Sequence, residues 1–359
     1  MDLSDFCPQP DLARAATIPA RWYTDPQFLS LERRKIFART WQPAGYLSQL
    51  TSPGDFSACE IQGEPIALVR GKDGTLRALS NVCRHRASTI LEGNGTTKVL
   101  RCPYHAWSYS LEGALIGAPE FDGVEDWDRT QVCLPEFRVD TWGPFAFVNQ
   151  DRDALPLREM WGDITQQTEE FGCPVDKLRL SERRDYVLNC NWKVYIDNYL
   201  EGYHLPAAHP GLFRELDYQQ YRVDTFRYHS SQYAPIRPKH GTGETRRYEY
   251  DSEGRGALYF WIFPNFMLNI YPDNLSSNII LPLGPDKTLT VFEWFSYGGG
   301  QVAPETIAFS DEIQQEDIKI CENVQRGLNS STYNQGRYSM KRENGVHHFH
   351  MLLHEFLTK

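Results

Sequence analysis

Two cysteines and two histidines stand in a pattern that can hold a metal cluster. They are Cys83-Arg84-His85 and, after sixteen intervening residues, Cys102-Pro103-Tyr104-His105. Two thiolates and two imidazoles could close a tetrahedral zinc site, but zinc modules usually pair cysteine with cysteine and histidine with histidine at short spacing. Here each loop offers one of each. That mixture suits a two-iron, two-sulfur cluster in which one iron takes both thiolates and the other takes both imidazoles. Gly93, Gly95 and Gly113, with Pro103, fit two loops that present ligands from a β scaffold.

A second set lies between Asn191 and Pro210. Read as a helix from Trp192 to Tyr203 and onward, the segment places Asp197, Glu201 and His204 at spacings of four and three, on one face. Pro206 ends that helix, so His209 must return from a turn. Two histidines from a helix end and the following turn can meet at one metal. With one carboxylate and open positions they form the facial triad of a non-haem ferrous site that activates O2. A lone histidine is more often a packed core or surface residue; two beside two acids point to a metal.

The third ligand need not be near in sequence. In the amphipathic stretch Asp311 to Leu328, Ile313, Ile320, Val324 and Leu328 form an apolar stripe, and Asp317 falls on it. A carboxylate aimed into a core is desolvated unless it is paired or metal-bound. Glu316 and Glu322 lie off the stripe and read as solvated charges. Asp317 is therefore the expected triad carboxylate.

The elements that must carry these residues fall into two textures. From about Trp41 to Gln150, short alternating runs are separated by glycine turns such as Gly71-Lys72-Asp73-Gly74, which predicts a small all-β domain. Asp25-Pro26 opens an amphipathic helix before it. The rest mixes helix with a β-rich stretch from Gly256 to Pro282. The expected fold class is α+β, with a small all-β domain (41–150) set before or within a larger domain (151–359) that has an antiparallel sheet and flanking helices. Residues 1–40 are expected to pack on the larger domain. The net charge of −10 argues against a nucleic-acid surface. No apolar stretch approaches the roughly 18 residues that span a bilayer, so no membrane segment is expected. Eight scattered cysteines do not form a disulfide framework, and with no secretory signal at the start they suggest a reducing cytoplasm.

With Trp107 completing Cys-Pro-Tyr-His-Ala-Trp, the chain resembles the Rieske ring-hydroxylating oxygenases from about Arg21 to Phe356. The resemblance implies a Rieske domain followed by a mononuclear-iron catalytic domain. It implies a [2Fe–2S] cluster on Cys83, His85, Cys102 and His105, and Fe(II) on His204, His209 and Asp317, the last in a Glu316-Asp317 pair. Glu201 falls where the family places a carboxylate that bridges an iron-ligating histidine to a cluster-ligating one, here His105, across a subunit boundary. That implies a homotrimer. A separate NAD(P)H reductase, with flavin or iron–sulfur centres, is implied as partner, because this chain carries no nicotinamide or flavin fingerprint. Neither ligand loop has an extra cysteine to form the disulfide of respiratory Rieske proteins, which favours the lower-potential cluster.

Glutamate at the bridge is similar to the subgroup that oxidises quaternary ammonium compounds, namely choline, carnitine and glycine betaine monooxygenases. Cys321 to Leu328, Tyr333-Asn334-Gln335-Gly336-Arg337 and Glu343 to Phe349 resemble that subgroup too. Gly202 departs from it, since many relatives have cysteine there. A trimethylammonium group has no N–H and is held by aromatic faces. Tyr203, Trp261, Phe263 and Tyr271 are the expected contacts, although an aromatic stripe is more often core. The rivals are an aromatic-ring hydroxylase or O-demethylase, and an electron-transfer or zinc-stabilised binding protein. His347, His348, His350 and His354 near the C-terminus are expected to serve packing or subunit contact.

Overall fold

The computed structural model describes residues 2–238 and 256–359. It divides into two compact units, Phe37–Leu157, and Met1–Ile36 together with Arg158–Lys359.

The smaller unit is built on an antiparallel sheet of seven strands, in the order Gln42–Tyr46, Phe145–Asn149, Glu136–Trp142, Leu76–Ser80, Glu64–Arg70, Asp55–Ile61 and Asn94–Thr96. Strand alternation sends successive side chains to opposite faces. Along Glu64–Arg70, Ile66 and Leu68 enter one apolar cluster with Ala78 and Val148. Ala67 and Val69 enter another, with Leu79, Trp107 and Tyr109. The second cluster also contains Cys83 and Cys102. Leu100–Arg101, Ser108–Tyr109 and Leu115–Gly117 form a small separate sheet.

In the larger unit a second antiparallel sheet runs in the order Leu178–Leu188, Lys287–Tyr297, Asn274–Gly284, Phe266–Ile270, Ala257–Ile262, His229–Ala234 and Arg222–Thr225. Helices Trp192–Tyr199, Pro304–Leu328 and Asn344–Thr358 accompany it. The architecture is α+β, with the β unit preceding most of the larger one. Asp25 caps the helix Pro26–Lys35, its side chain accepting from the Gln27 N–H at 2.9 Å.

Two helices differ from their expected course. The helix beginning at Trp192 stops at Tyr199, so Glu201 and His204 lie beyond it and share no helix face with Asp197. Asp197 instead accepts from the Tyr23 hydroxyl at 2.6 Å and sits 3.0 Å from His350 Nε2. The long helix starts at Pro304, and its buried residues are Ile307, Phe309, Gln314, Cys321, Gln325 and Leu328. Val324, placed on the apolar stripe by its sequence spacing, is 44% exposed. Polar residues occupy the buried side because each meets a partner there. Tyr195 Oη donates to Gln314 Oε1 at 2.6 Å, and Asn191 N–H donates to Gln325 Oε1 at 2.7 Å.

The histidines of the C-terminal helix are packing residues. His350 is buried beside Tyr338 Oη at 2.6 Å, His347 Nε2 lies 2.8 Å from the Gln9 carbonyl, and His354 stacks on Trp22. Beneath them, Lys193 and Glu32 form a fully buried ion pair at 2.5 Å, and Trp192 Nε1 donates to the same carboxylate at 2.7 Å. Removing one member of such a pair strands the other charge out of water. Glu32→Ala is therefore expected to cost about 3–5 kcal/mol in chemical denaturation followed by circular dichroism. Asp224→Ala, at an exposed pair with Arg222, is expected to cost under about 1 kcal/mol in the same measurement.

Candidate metal centres

In the smaller unit the two ligand loops are the same turn used twice. Ala87 N–H donates to Cys83 O at 3.0 Å and Ala106 N–H to Cys102 O at 3.1 Å. Each turn then closes when the cysteine N–H donates onward, Cys83 to Ser88 O at 2.9 Å and Cys102 to Trp107 O at 2.8 Å. Ala87 and Ala106 take φ of 58° and 59°, a left-handed conformation that costs a non-glycine residue roughly 1–2 kcal/mol. The tight positions are thus alanines four residues after each cysteine, where the sequence had pointed to nearby glycines. Strain of this kind persists where surrounding structure over-determines it, commonly at functional sites.

The turns bring four candidate ligands together. The His85 and His105 rings lie 4.6 Å apart between centroids, and His85 stacks on Trp107 at 4.9 Å. His85 Nδ1 is buried with no hydrogen-bond partner, as expected of an atom reserved for a metal. Burial works against a Cys102 thiolate. The backbone N–H groups of Tyr104 and His105, with the Cys83 and Ser88 side chains, outweigh it and hold the thiol below its ordinary range. Tyr109 Oη, 3.3 Å from Cys83 Sγ and accepting the Arg84 N–H at 2.9 Å, is a sulfur-contacting residue that the spacing of ligands did not reveal. His105 is exposed, under the ring of Tyr104 at 3.7 Å.

In the larger unit, His204, His209 and Asp317 each place one ligand atom within 4.8 Å of the others. Among the described residues no other group of three or more such side chains does so. Each turn of the smaller unit contributes one cysteine and one histidine, the mixture that suits a cluster of two irons better than a single zinc ion.

Each histidine of the triad is held from behind by a carboxylate. His204 Nδ1 lies 2.5 Å from Glu201 Oε1, and His209 Nδ1 lies 2.7 Å from Glu316 Oε2. Glu201 Oε2 also accepts the backbone N–H groups of Tyr203 and His204, which explains why the chain leaves the helix there. Fixing the proton at Nδ1 leaves Nε2 to coordinate. His209 Nε2 faces Asp317 Oδ1 at 3.0 Å. Burial disfavours a charged His209, yet Asp317 and Glu316 outweigh that and raise its pKa. Glu316, one residue from Asp317, is thus an orienting group and not a solvated charge.

A cavity opens beside this triad, lined among others by Tyr199, Tyr221, Tyr259, Tyr271, Asn269 and Phe292. Burial raises the phenols of Tyr199, Tyr221 and Tyr259 well above their usual range, so they stay neutral. Of the aromatic residues expected from the sequence, Tyr271 is in this wall. Tyr203 is 58% exposed, and Trp261 and Phe263 belong to the core, packed on Phe349 and Phe356. Strand alternation carried Tyr259 to the cavity, but Phe263 lies past the strand end at Ile262, where the period no longer holds. Gly202 also acquires a reason. A Cβ there would lie 2.9 Å from the Tyr221 ring, so glycine lets that ring close on the backbone.

Comparison with known proteins decides the family. Residues 40–128 match the Rieske [2Fe-2S] domain, and residues 175–359 match the ring hydroxylating alpha subunit catalytic domain. The chain belongs to the Rieske non-haem iron oxygenases. It is similar to the chloroplastic choline monooxygenase of Arabidopsis thaliana, 37% identical over 369 residues, covering 99% of this chain and 86% of that protein. It is also similar to the carnitine monooxygenase oxygenase subunit of Escherichia coli (strain K12), at 34% identity over 97% of this chain and 95% of that one. A solved quaternary ammonium Rieske monooxygenase, whose structure addresses carnitine oxidation and inter-subunit electron transfer, superposes with a TM-score of 0.85 at 29% identity over 98% of each chain. As a Rieske monooxygenase, the enzyme carries a [2Fe–2S] cluster and a non-haem iron and is the oxygenase subunit of a multicomponent system. No helix among the described residues is long and apolar enough to cross a membrane.

The two halves of the mononuclear centre are separable by experiment. Asp317→Ala is expected to lower bound mononuclear iron to a small fraction of the parent while leaving the cluster's visible spectrum intact. Glu316→Ala is expected to weaken iron affinity by about 10–100-fold through loss of the His209 orientation. Iron assay after dialysis checks both.

Proposed function

We propose that this enzyme uses O2 to hydroxylate or demethylate a quaternary ammonium compound of the choline, carnitine and glycine betaine class. The observation that carries the reading is a wall of neutral aromatic rings beside the His204–His209–Asp317 triad. An ammonium ion without N–H groups gains most from such faces, by cation–π attraction. The curated relatives act on members of this class.

In this reading Cys83, His85, Cys102 and His105 hold the cluster, and His204, His209 and Asp317 hold the iron. When bound, these groups supply electron relay and O2 activation. The chain's own residues set the conditions. Glu201 Oε1 and Glu316 Oε2 keep protons on the two Nδ1 atoms, fixing both rings. Glu201 lies at an edge that is partly exposed, with its side chain 11% accessible, and His105 is exposed in its own unit. Those exposures suit a trimer in which Glu201 also accepts a hydrogen bond from His105 of the partner subunit. The overall balance adds one oxygen atom of O2 to a C–H bond near the nitrogen, with two electrons and two protons reducing the other to water. Hydroxylation next to a heteroatom then yields an aldehyde or releases formaldehyde, according to the carbon. The electrons come from NAD(P)H through a separate reductase. Eight unpaired cysteines support a reducing compartment, the cytoplasm.

Glu201→Gln is expected to keep both metal centres and lose more than about tenfold in turnover, since a second carboxylate contact of this kind is worth 10–100-fold. Unaltered product formation by that variant would remove the bridge. On the substrate side, 3,3-dimethylbutanol, in which carbon replaces the nitrogen of choline, is expected to bind about tenfold or more weakly, the equivalent of a desolvated cation–π contact. Equal affinity, measured by calorimetry on the reconstituted enzyme, would contradict the aromatic-wall reading.

A further inference from the structure

The relatives do not agree on what accompanies the ammonium group, since one acts on an alcohol and another on a carboxylate. We infer that the substrate of this enzyme is a quaternary ammonium alcohol, a simple cation, and not a zwitterion bearing a carboxylate. The inference rests on the quaternary-ammonium reading above and narrows it.

The first ground is charge. Among the described residues lining the cavity there is no lysine or arginine, while Glu201 and Asp317 are both present. A divalent iron would bring the formal sum of ion and two carboxylates to zero, which leaves no surplus positive charge for a third carboxylate. Two cations on nearby described elements are turned elsewhere. Lys193 is spent on Glu32 at 2.5 Å, and Arg342 donates to the Tyr221 carbonyl at 3.1 Å while covering the Tyr218 ring.

The second ground is the supply of donors. A buried carboxylate needs several N–H or O–H groups. In this wall three of the phenol protons are already given away. Tyr195 donates to Gln314 Oε1 at 2.6 Å, Tyr199 to Asn269 Oδ1 at 2.9 Å and Tyr221 to Gln232 Oε1 at 2.7 Å. Three amides are committed in turn. Asn269 Nδ2 donates to Ser276 Oγ at 3.1 Å and Asn278 Oδ1 at 3.2 Å. Gln232 Nε2 donates to the Tyr199 carbonyl at 2.8 Å and Gln314 Nε2 to Thr290 Oγ1 at 3.0 Å. The remaining donors in the wall, among them the amides of Asn198 and Asn278, are uncharged, so no lysine or arginine among the described lining residues offers a carboxylate a full positive charge. A hydroxyl needs far less, because it can donate to an acceptor and accept from a single donor.

The test is anaerobic calorimetric titration of the reconstituted enzyme, loaded with cluster and iron, using choline, glycine betaine and L-carnitine. Choline is expected to bind at least about tenfold more tightly than either zwitterion, and to be the one converted when reductase, NAD(P)H and O2 are added. A zwitterion that binds as tightly as choline, or is converted as fast, overturns the inference and leaves the quaternary-ammonium reading standing. If no quaternary compound binds and an aromatic acid is oxidised, that reading itself falls, so the two failures are distinct. A second arm supplies the missing charge. Ser310→Arg, at the cavity wall, is expected to shift the ratio of glycine betaine to choline affinity by about tenfold or more toward the zwitterion. An unchanged ratio in iron-loaded variant counts against the charge argument.

Discussion

The larger unit depends on one repeated interaction, a carboxylate holding an imidazole by its Nδ1. Glu201 does this for His204 and Glu316 for His209. Neither pair would be stable in isolation, because a carboxylate near a buried ring is desolvated and its proton partner must be held in one geometry. The fold provides that geometry from two directions. Glu201 sits in the turn after the helix Trp192–Tyr199, pinned by the backbone N–H groups of Tyr203 and His204. Glu316 rides the long helix Pro304–Leu328. That helix is tied to the shorter one through Gln314 with Tyr195, Gln325 with Asn191, and Glu322 with Asn189. The polar residues on the buried side of the long helix are therefore not defects in an amphipathic pattern. They set the distance between the elements that carry the triad.

The smaller unit solves an analogous problem with backbone instead of side chains. Two copies of one turn, each with a left-handed alanine, aim a cysteine and a histidine at a shared space, and the sheet below supplies an apolar floor that contains both cysteines. Tyr109 and Trp107 rise from that floor to contact Cys83 and His85. Hydrogen bonds to cluster sulfurs and the dryness around them are the levers by which a protein tunes such a centre. The surface position of His105 leaves one edge of the site open toward other molecules.

The candidate ligands could be singled out in the sequence because few residue types do this chemistry and their spacing within each loop is local, and three of them, His204, His209 and Asp317, do come together. The α+β architecture was legible because alternating runs and amphipathic stretches occupy different parts of the chain. What the sequence hid depends on tertiary contacts. Asp317 was singled out from an apolar stripe, yet the buried side of the helix is displaced from it and Val324 faces solvent. Asp317 nonetheless stands beside His209, 3.0 Å from Nε2. Glu316 read as a solvated charge because nothing local shows that His209 arrives at its side. The helix from Trp192 was extended too far because the pattern continues past Tyr199. The carboxylate of Glu201 captures the N–H groups that a further helical turn would have used. Trp261 and Phe263 share chemistry with the cavity tyrosines. Phe263 is separated from the wall by the course of the chain after Ile262, whereas Trp261, inside the strand, is held in the core by Phe349 and by its bond to the Pro264 carbonyl at 3.1 Å.

The central claim is that one chain carries two different iron sites, a cluster and a mononuclear centre. Metal and sulfide analysis of the reconstituted protein, per chain, tests it most directly. The account predicts three irons with two acid-labile sulfides, since a [2Fe-2S] domain and a separate iron site are both present. Stoichiometric zinc without sulfide would contradict it.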